Sequence, residues 1–193
     1  KMLRVQKPFS AFFIDDALDH AIQLPITTNP DKTLWFAVEK MEEKQVWDLP
    51  VVNNGACQSV IEYKPKRISA YSRKMRKNMG SASRNLVFDH VTRNQNKQDV
   101  EAFSTLPEGG RYVDLKKKYK RYRDDIFLDK YKKLFWNKPS WTVTAHLEHD
   151  CYSHIHPGKK YPRTISIREA ARLQSFPDHH FFSGTIGDRF RQI

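Results

Sequence analysis

The chain has 193 residues, enough for one domain of ordinary size with a real core, so it need not be a small scaffold stapled by disulfides. Its 34 Lys and Arg outweigh 22 Asp and Glu to leave a net charge of +12, which points to a polyanionic partner, nucleic acid before a membrane surface. No run approaches the roughly 18 apolar residues of a spanning helix, and Cys57 and Cys151, far apart and preceded by no signal peptide, suggest a reducing, intracellular setting.

In chain order, residues 1–50 carry an amphipathic run at Phe12–Ile22, a strand-like Leu34–Glu39 and a short helix entering Val46–Pro50. They read as the tail of a larger domain, and with Lys1 rather than Met in first place the chain is expected to be a piece of something longer. The next region, 51–162, opens basic and turn-rich, with Asn53–Gly55, Met79–Ser83 and Pro107–Gly110 as punctuation, so short elements and long loops are expected. Its charge gathers in Tyr71–Met79, which holds Arg73 and Arg76, and in Leu115–Asp125. In the second run Tyr119 and Tyr122 alternate with Lys116, Lys117, Lys118, Lys120, Arg121 and Arg123, which joins phosphate neutralisation to planar groups. A solvated helical face is the plainer alternative.

Trp141–His149 alternates Trp141, Val143, Ala145 and Leu147 with Thr142, Thr144 and His146, the period of a strand with one buried face. The polar set then points away from the core. The last region, 163–193, opens on a helix. Ser166 and Glu169 have the spacing of a capping box, good helix formers follow, and Pro177 should end the helix by disfavouring helical geometry at Phe176.

The string RTISIREAARLQSFPD, Arg163–Asp178, resembles the ninth sequence motif of the DNA cytosine C5 methyltransferases. Around it, DKYKKLFWNKPSWTVTAH (Asp129–His146), SHIHP (Ser153–Pro157), VWDLP (Val46–Pro50), YSRKMR (Tyr71–Arg76), FDHVTR (Phe88–Arg93) and LPEGGRY (Leu106–Tyr112) are similar to landmarks of the same family. The likeness covers about residues 40–193. The family's glycine-rich cofactor loop, its P-C nucleophile loop and its E-N-V motif have no counterpart in residues 1–50, and the chain stops at RQI, where the family continues into its tenth motif. Cys57 superficially matches the nucleophile loop, but Ala56 stands where the proline belongs and the order along the chain is wrong, so it reads as an ordinary cysteine.

The resemblance implies an α+β fold: a small irregular target-recognition domain with short strands and long loops, attached to the edge of an α/β methyltransferase domain that this stretch lacks. It implies the DNA-reading part of an enzyme that moves a methyl group from S-adenosylmethionine to C5 of cytosine in a specific duplex sequence, as in restriction-modification. The cofactor would be bound by the missing catalytic part, in the same or another chain, and this segment alone would be inactive. Thr142, Thr144 and His146 are then expected near the target base pair, and Lys118, Lys120, Arg121 and Arg123 on a second recognition loop or on phosphate. Arg73 and Arg76, with His90 and Arg93, contact backbone or brace the domain. Ser166, Arg168, Glu169 and Arg172 are expected to be structural. A stand-alone, non-enzymatic DNA-binding module and one subunit of a split methyltransferase are the alternatives. His146, His149, Cys151, His154 and His156 crowd together, but their spacing is not that of a zinc site, and no metal is expected.

Overall fold

The computed structural model describes residues 47–65, 68–123, 130–143, 147–149 and 151–193. The expected elements at Phe12–Ile22 and Leu34–Glu39 lie outside the described residues. No described helix is long and apolar enough to cross a membrane.

Strand β1, Val60–Glu62, pairs antiparallel with β2, Leu86–Phe88, with Val60 opposite Phe88 and Glu62 opposite Leu86. Between them lies helix α1, Ala70–Met75, started by Ser69, whose hydroxyl accepts the Ser72 amide. Trp47–Pro50 is irregular, and the residues from which a short helix was expected to enter it lie outside the described ones. Asp48 there accepts the Ser69 amide at 2.8 Å and the Pro50 carbonyl faces His90, so the polar groups of this stretch are spent on other segments instead of on a helical turn.

Helix α2, Lys97–Thr105, is capped by Asn96 and buries Ala102 and Phe103. A turn at Pro107–Gly110 follows, in which Gly109 takes φ +71°, as position three of such a turn requires, with the Phe135 ring against its Cα. Single-residue bridges then join Lys133 to Ile155 and Ile155 to Thr164. Helix α3, Ile167–Leu173, and helix α4, Ile186–Arg191, close the described chain, each with a capping box, Ser166 with Glu169 and Thr185 with Asp188.

The expected strand at Trp141–His149 is not one among the described residues: Trp141–Val143 is irregular and Leu147–His149 is a turn, while Thr144 and His146 lie outside the described residues. The alternation was still informative about burial. Trp141 and Val143 pack on the same core as buried Leu147, and Thr142 is exposed. A period of two reports which side chains face inward, and among the described residues no paired strand accompanies it.

Two larger cores result. One gathers Val91, Leu134, Leu147, Ile165, Phe182 and Phe190 around the Ile167, Ala170 and Ala171 face of α3. The other joins α2, through Ala102, Phe103 and Leu106, to Tyr112, Leu115, Tyr131 and Ile155. The α+β class with short elements and long loops is what the described residues display.

Candidate nucleic-acid interface

The cationic loop begins as a single 3-10 turn, Lys117–Tyr119, with Lys116, Lys117 and Lys118 exposed. Solvated lysines in succession repel one another, so something must hold the backbone that carries them. The second core does this at two points. The hydroxyl of buried Tyr112 accepts the Tyr122 amide at 2.6 Å and donates to the Tyr122 carbonyl at 2.7 Å. One residue earlier, Arg121 reaches down to Asp99 at 2.7 Å.

Asp99 is wholly buried in the first turn of α2. Its Oδ1 also accepts the Tyr131 hydroxyl at 2.6 Å, and its Oδ2 accepts Tyr152 at 2.8 Å and the Asn96 side-chain amide at 2.6 Å. Burial, reinforced by Asp99, pushes the Tyr131 and Tyr152 hydroxyls well above their usual range, so both stay protonated and donate. The hydrogen bond to Asp99 likewise raises Arg121, which remains a cation.

Arg121, expected on a recognition loop or on phosphate, thus has its guanidinium paired with Asp99. Lys118 sits 4.7 Å from the Tyr119 ring centre, half-buried Lys120 lies over Tyr112, and Arg123 is exposed. The Arg111 guanidinium stands 5.2 Å from the Trp141 ring centre, which ties the segment bearing the loop to the one bearing exposed Thr142. For Thr144 and His146, outside the described residues, no position is given.

Arg76 is also spoken for. It pairs with Asp178 at 2.8 Å, donates to the carbonyls of Arg84 and Leu86, and stacks over Tyr63, so of the two roles expected for it bracing is the one its geometry fits. Arg73 is exposed and donates to the Ile68 carbonyl. Arg93 donates to the Glu148 carbonyl at 2.7 Å.

The arginines around α3 are paired inward. Arg163 grips Glu169 with two bonds, 2.7 and 2.8 Å, and Arg172 grips Asp178 with two, 3.0 and 2.7 Å. Arg168 spans the carbonyls of Phe88, Pro177 and His180. Burial alone would raise the Glu169 and Asp178 carboxyls, but the facing guanidiniums override it and hold both below the usual range. His90 donates through Nε2 to the Pro50 carbonyl, which leaves Nδ1 to accept the Ser166 hydroxyl at 2.6 Å. Desolvation lowers His90 and lowers His156 to about 3, so both are neutral. His156 packs edge to face with Trp47 and Trp136 beside a cavity of about 430 Å³, and His154 donates to the Trp141 carbonyl. Among the described residues no group of His, Cys, Asp and Glu is placed to hold a metal.

Sequence reasoning passed over Asp99, Tyr112, Tyr131, Tyr152 and Asp178. The Asn96 to Asp99 spacing carries a cap signal that would have placed Asp99 in a helix's first turn, though not what it binds.

Residues 25–193 match the model of C-5 cytosine-specific DNA methylases. A candidate type II methyltransferase of Oceanobacillus iheyensis is 34% identical over 85% of this chain and 42% of its own length. The type II methyltransferase M.DdeI of Desulfomicrobium norvegicum is 30% identical over 90% of this chain and 41% of its own. The chain thus spans under half the length of these relatives. Among solved structures, a candidate DNA modification methyltransferase encoded within an E. coli prophage shares the fold over 80% of this chain and 40% of its own, with a TM-score of 0.50 and 23% identity.

Proposed function

Since the chain belongs to the C-5 cytosine-specific DNA methylase family, we propose that its described part reads duplex DNA for an enzyme that transfers a methyl group from S-adenosylmethionine to cytosine C5. The observation that carries this reading is the cationic loop, its lysines outward on a tyrosine core that pins its backbone, joined through Arg111 and Trp141 to exposed Thr142. Lysines of this kind neutralise phosphates and set register, and a threonine can contact a base edge. Thr144 and His146 complete the proposed contact set with Lys118, Lys120 and Arg123. Arg73, exposed on α1, is a further phosphate contact.

The described residues do not suit the cofactor. The carboxylates beside the one aromatic cavity described above are Glu169, bonded to Arg163, and Glu108, which faces the Trp136 amide, and no described strand leads through a glycine-rich turn into a helix. S-adenosylmethionine and the attacking thiolate therefore belong, in this proposal, to the part of the enzyme that the longer relatives add, and this segment alone transfers no methyl group.

Lys117→Ala with Lys118→Ala, compared with the parent chain for binding of a labelled random-sequence duplex across a salt series, tests the reading. Affinity should fall similarly for all sequences, and the slope of log K against log salt should shrink by about two. Unchanged affinity and slope, or labelled methyl transfer to the duplex by this chain alone, would overturn it.

A further inference from the structure

Resting on the reading that the cationic loop meets DNA, we infer that Asp99 and Tyr112 are its positioning residues, fixing the backbone of Lys116–Arg123 before DNA arrives. Neither touches DNA in this scheme. The Asp99 carboxylate already has three donors, Asn96, Tyr131 and Tyr152, that belong to the frame. It is therefore satisfied and in place without the loop. Arg121, its side chain 38% exposed against 0% for Asp99, supplies the fourth bond and brings the loop to a receptor that is already built. Tyr112 acts in the same way one residue on. Its ring is buried among the aromatics of the second core, and its hydroxyl serves both backbone groups of Tyr122, which a chain of repelling cations would otherwise leave to water.

The consequence is energetic. A loop that orders only on contact spends part of its electrostatic attraction on that ordering, and one held beforehand does not. Fixing Arg121 and Tyr122 from beneath also settles which side of the loop is outward, the side on which Lys116, Lys117 and Lys118 are exposed. Arg121 thus helps binding as an internal tie.

The test compares Asp99→Asn and Tyr112→Phe in the full chain with Ile155→Val, a trimming of the same core that leaves the ties intact. Binding of a labelled random-sequence duplex is measured across a salt series, well below each variant's melting temperature, alongside amide hydrogen exchange over residues 116–122. Asp99→Asn and Tyr112→Phe should weaken binding on the order of tenfold and speed exchange in the loop. Ile155→Val should do neither even where its melting temperature falls as far. Tyr112→Phe keeps the ring in the core, so it serves if Asp99→Asn does not fold. Parent-like binding by both tie variants, or equal weakening by Ile155→Val, overturns the inference. If Lys117→Ala with Lys118→Ala still weakens binding, the reading of the loop stands without it; if that variant too binds as the parent does, the reading itself has failed.

Discussion

Glu169 shows how one side chain can be fully committed. Its Oε2 accepts the Ser166 amide and one Arg163 nitrogen, each at 2.7 Å, and Oε1 accepts the other Arg163 nitrogen. Glu169→Gln would keep the shape and leave the Arg163 guanidinium, 2% exposed, without its counter-charge. Unfolding in urea should show a loss of about 3–5 kcal/mol, the usual cost of breaking a buried pair from one side. The same contrast explains why the partners of Arg76 and Arg121 could not be foreseen. A sequence displays a cation but not the carboxylate that meets it, and here those partners are Asp178 and Asp99, 102 and 22 positions away.

Helix α3 was legible because its determinants are local. Ser166 and Glu169 sit three residues apart, and the capping box found there needs nothing from elsewhere. The helix stops as Pro177 suggested, but the stop itself went unforeseen: Ser175 takes φ 62°, its amide reaching the Arg172 carbonyl at 2.9 Å, and the Phe176 amide reaches Ala171 at 2.8 Å. Serine in that left-handed conformation carries a steric cost that glycine avoids. Ser175→Gly should therefore stabilise the protein by about 1 kcal/mol, readable as a raised melting temperature. Trp141–Val143 is the opposite case. Its alternation gave the correct inward side, yet whether a stretch becomes a strand depends on a distant partner that no local pattern encodes. The tyrosine core under the loop was hidden for the same reason, since Tyr112, Tyr131 and Tyr152, distant in sequence, are brought together by backbone bonds from Tyr112 to Lys130 and from Lys132 to Tyr152.

For the molecule as a whole, the buried ionisable groups set a pH profile. His90 and His156 are held neutral below the ordinary histidine value, so below about pH 6.5 the unfolded chain takes up protons that the folded chain refuses. Stability should fall as pH drops from about 6.5, by up to roughly 2.7 kcal/mol per unit while both histidines contribute, and Glu169, whose folded value is depressed, adds to the loss below about 4.5. Lys133 gives the opposite flank. It is buried, donates to the Phe103 and Leu106 carbonyls at the end of α2, and is lowered by desolvation to about 8. From about pH 8 to 10 stability should rise as the folded state sheds that proton first. Beyond about pH 10 it should fall, because Tyr131 and Tyr152 stay protonated while unfolded tyrosines ionise. Melting curves across this range check both flanks.

The basic residues around α3 are interior arginines, whereas those exposed on the cationic loop are mostly lysines. Arg163, Arg168 and Arg172 lie in the interior and Arg76 is nearly enclosed, whereas Lys116, Lys117, Lys118, Lys159 and Lys160 are exposed. The α3 scaffold and the loop's lysine grip therefore draw on different side chains. Mutation can reshuffle the outer ammonium groups, and so retune how tightly or where the protein holds its target, without disturbing the guanidinium framework that keeps the chain in register.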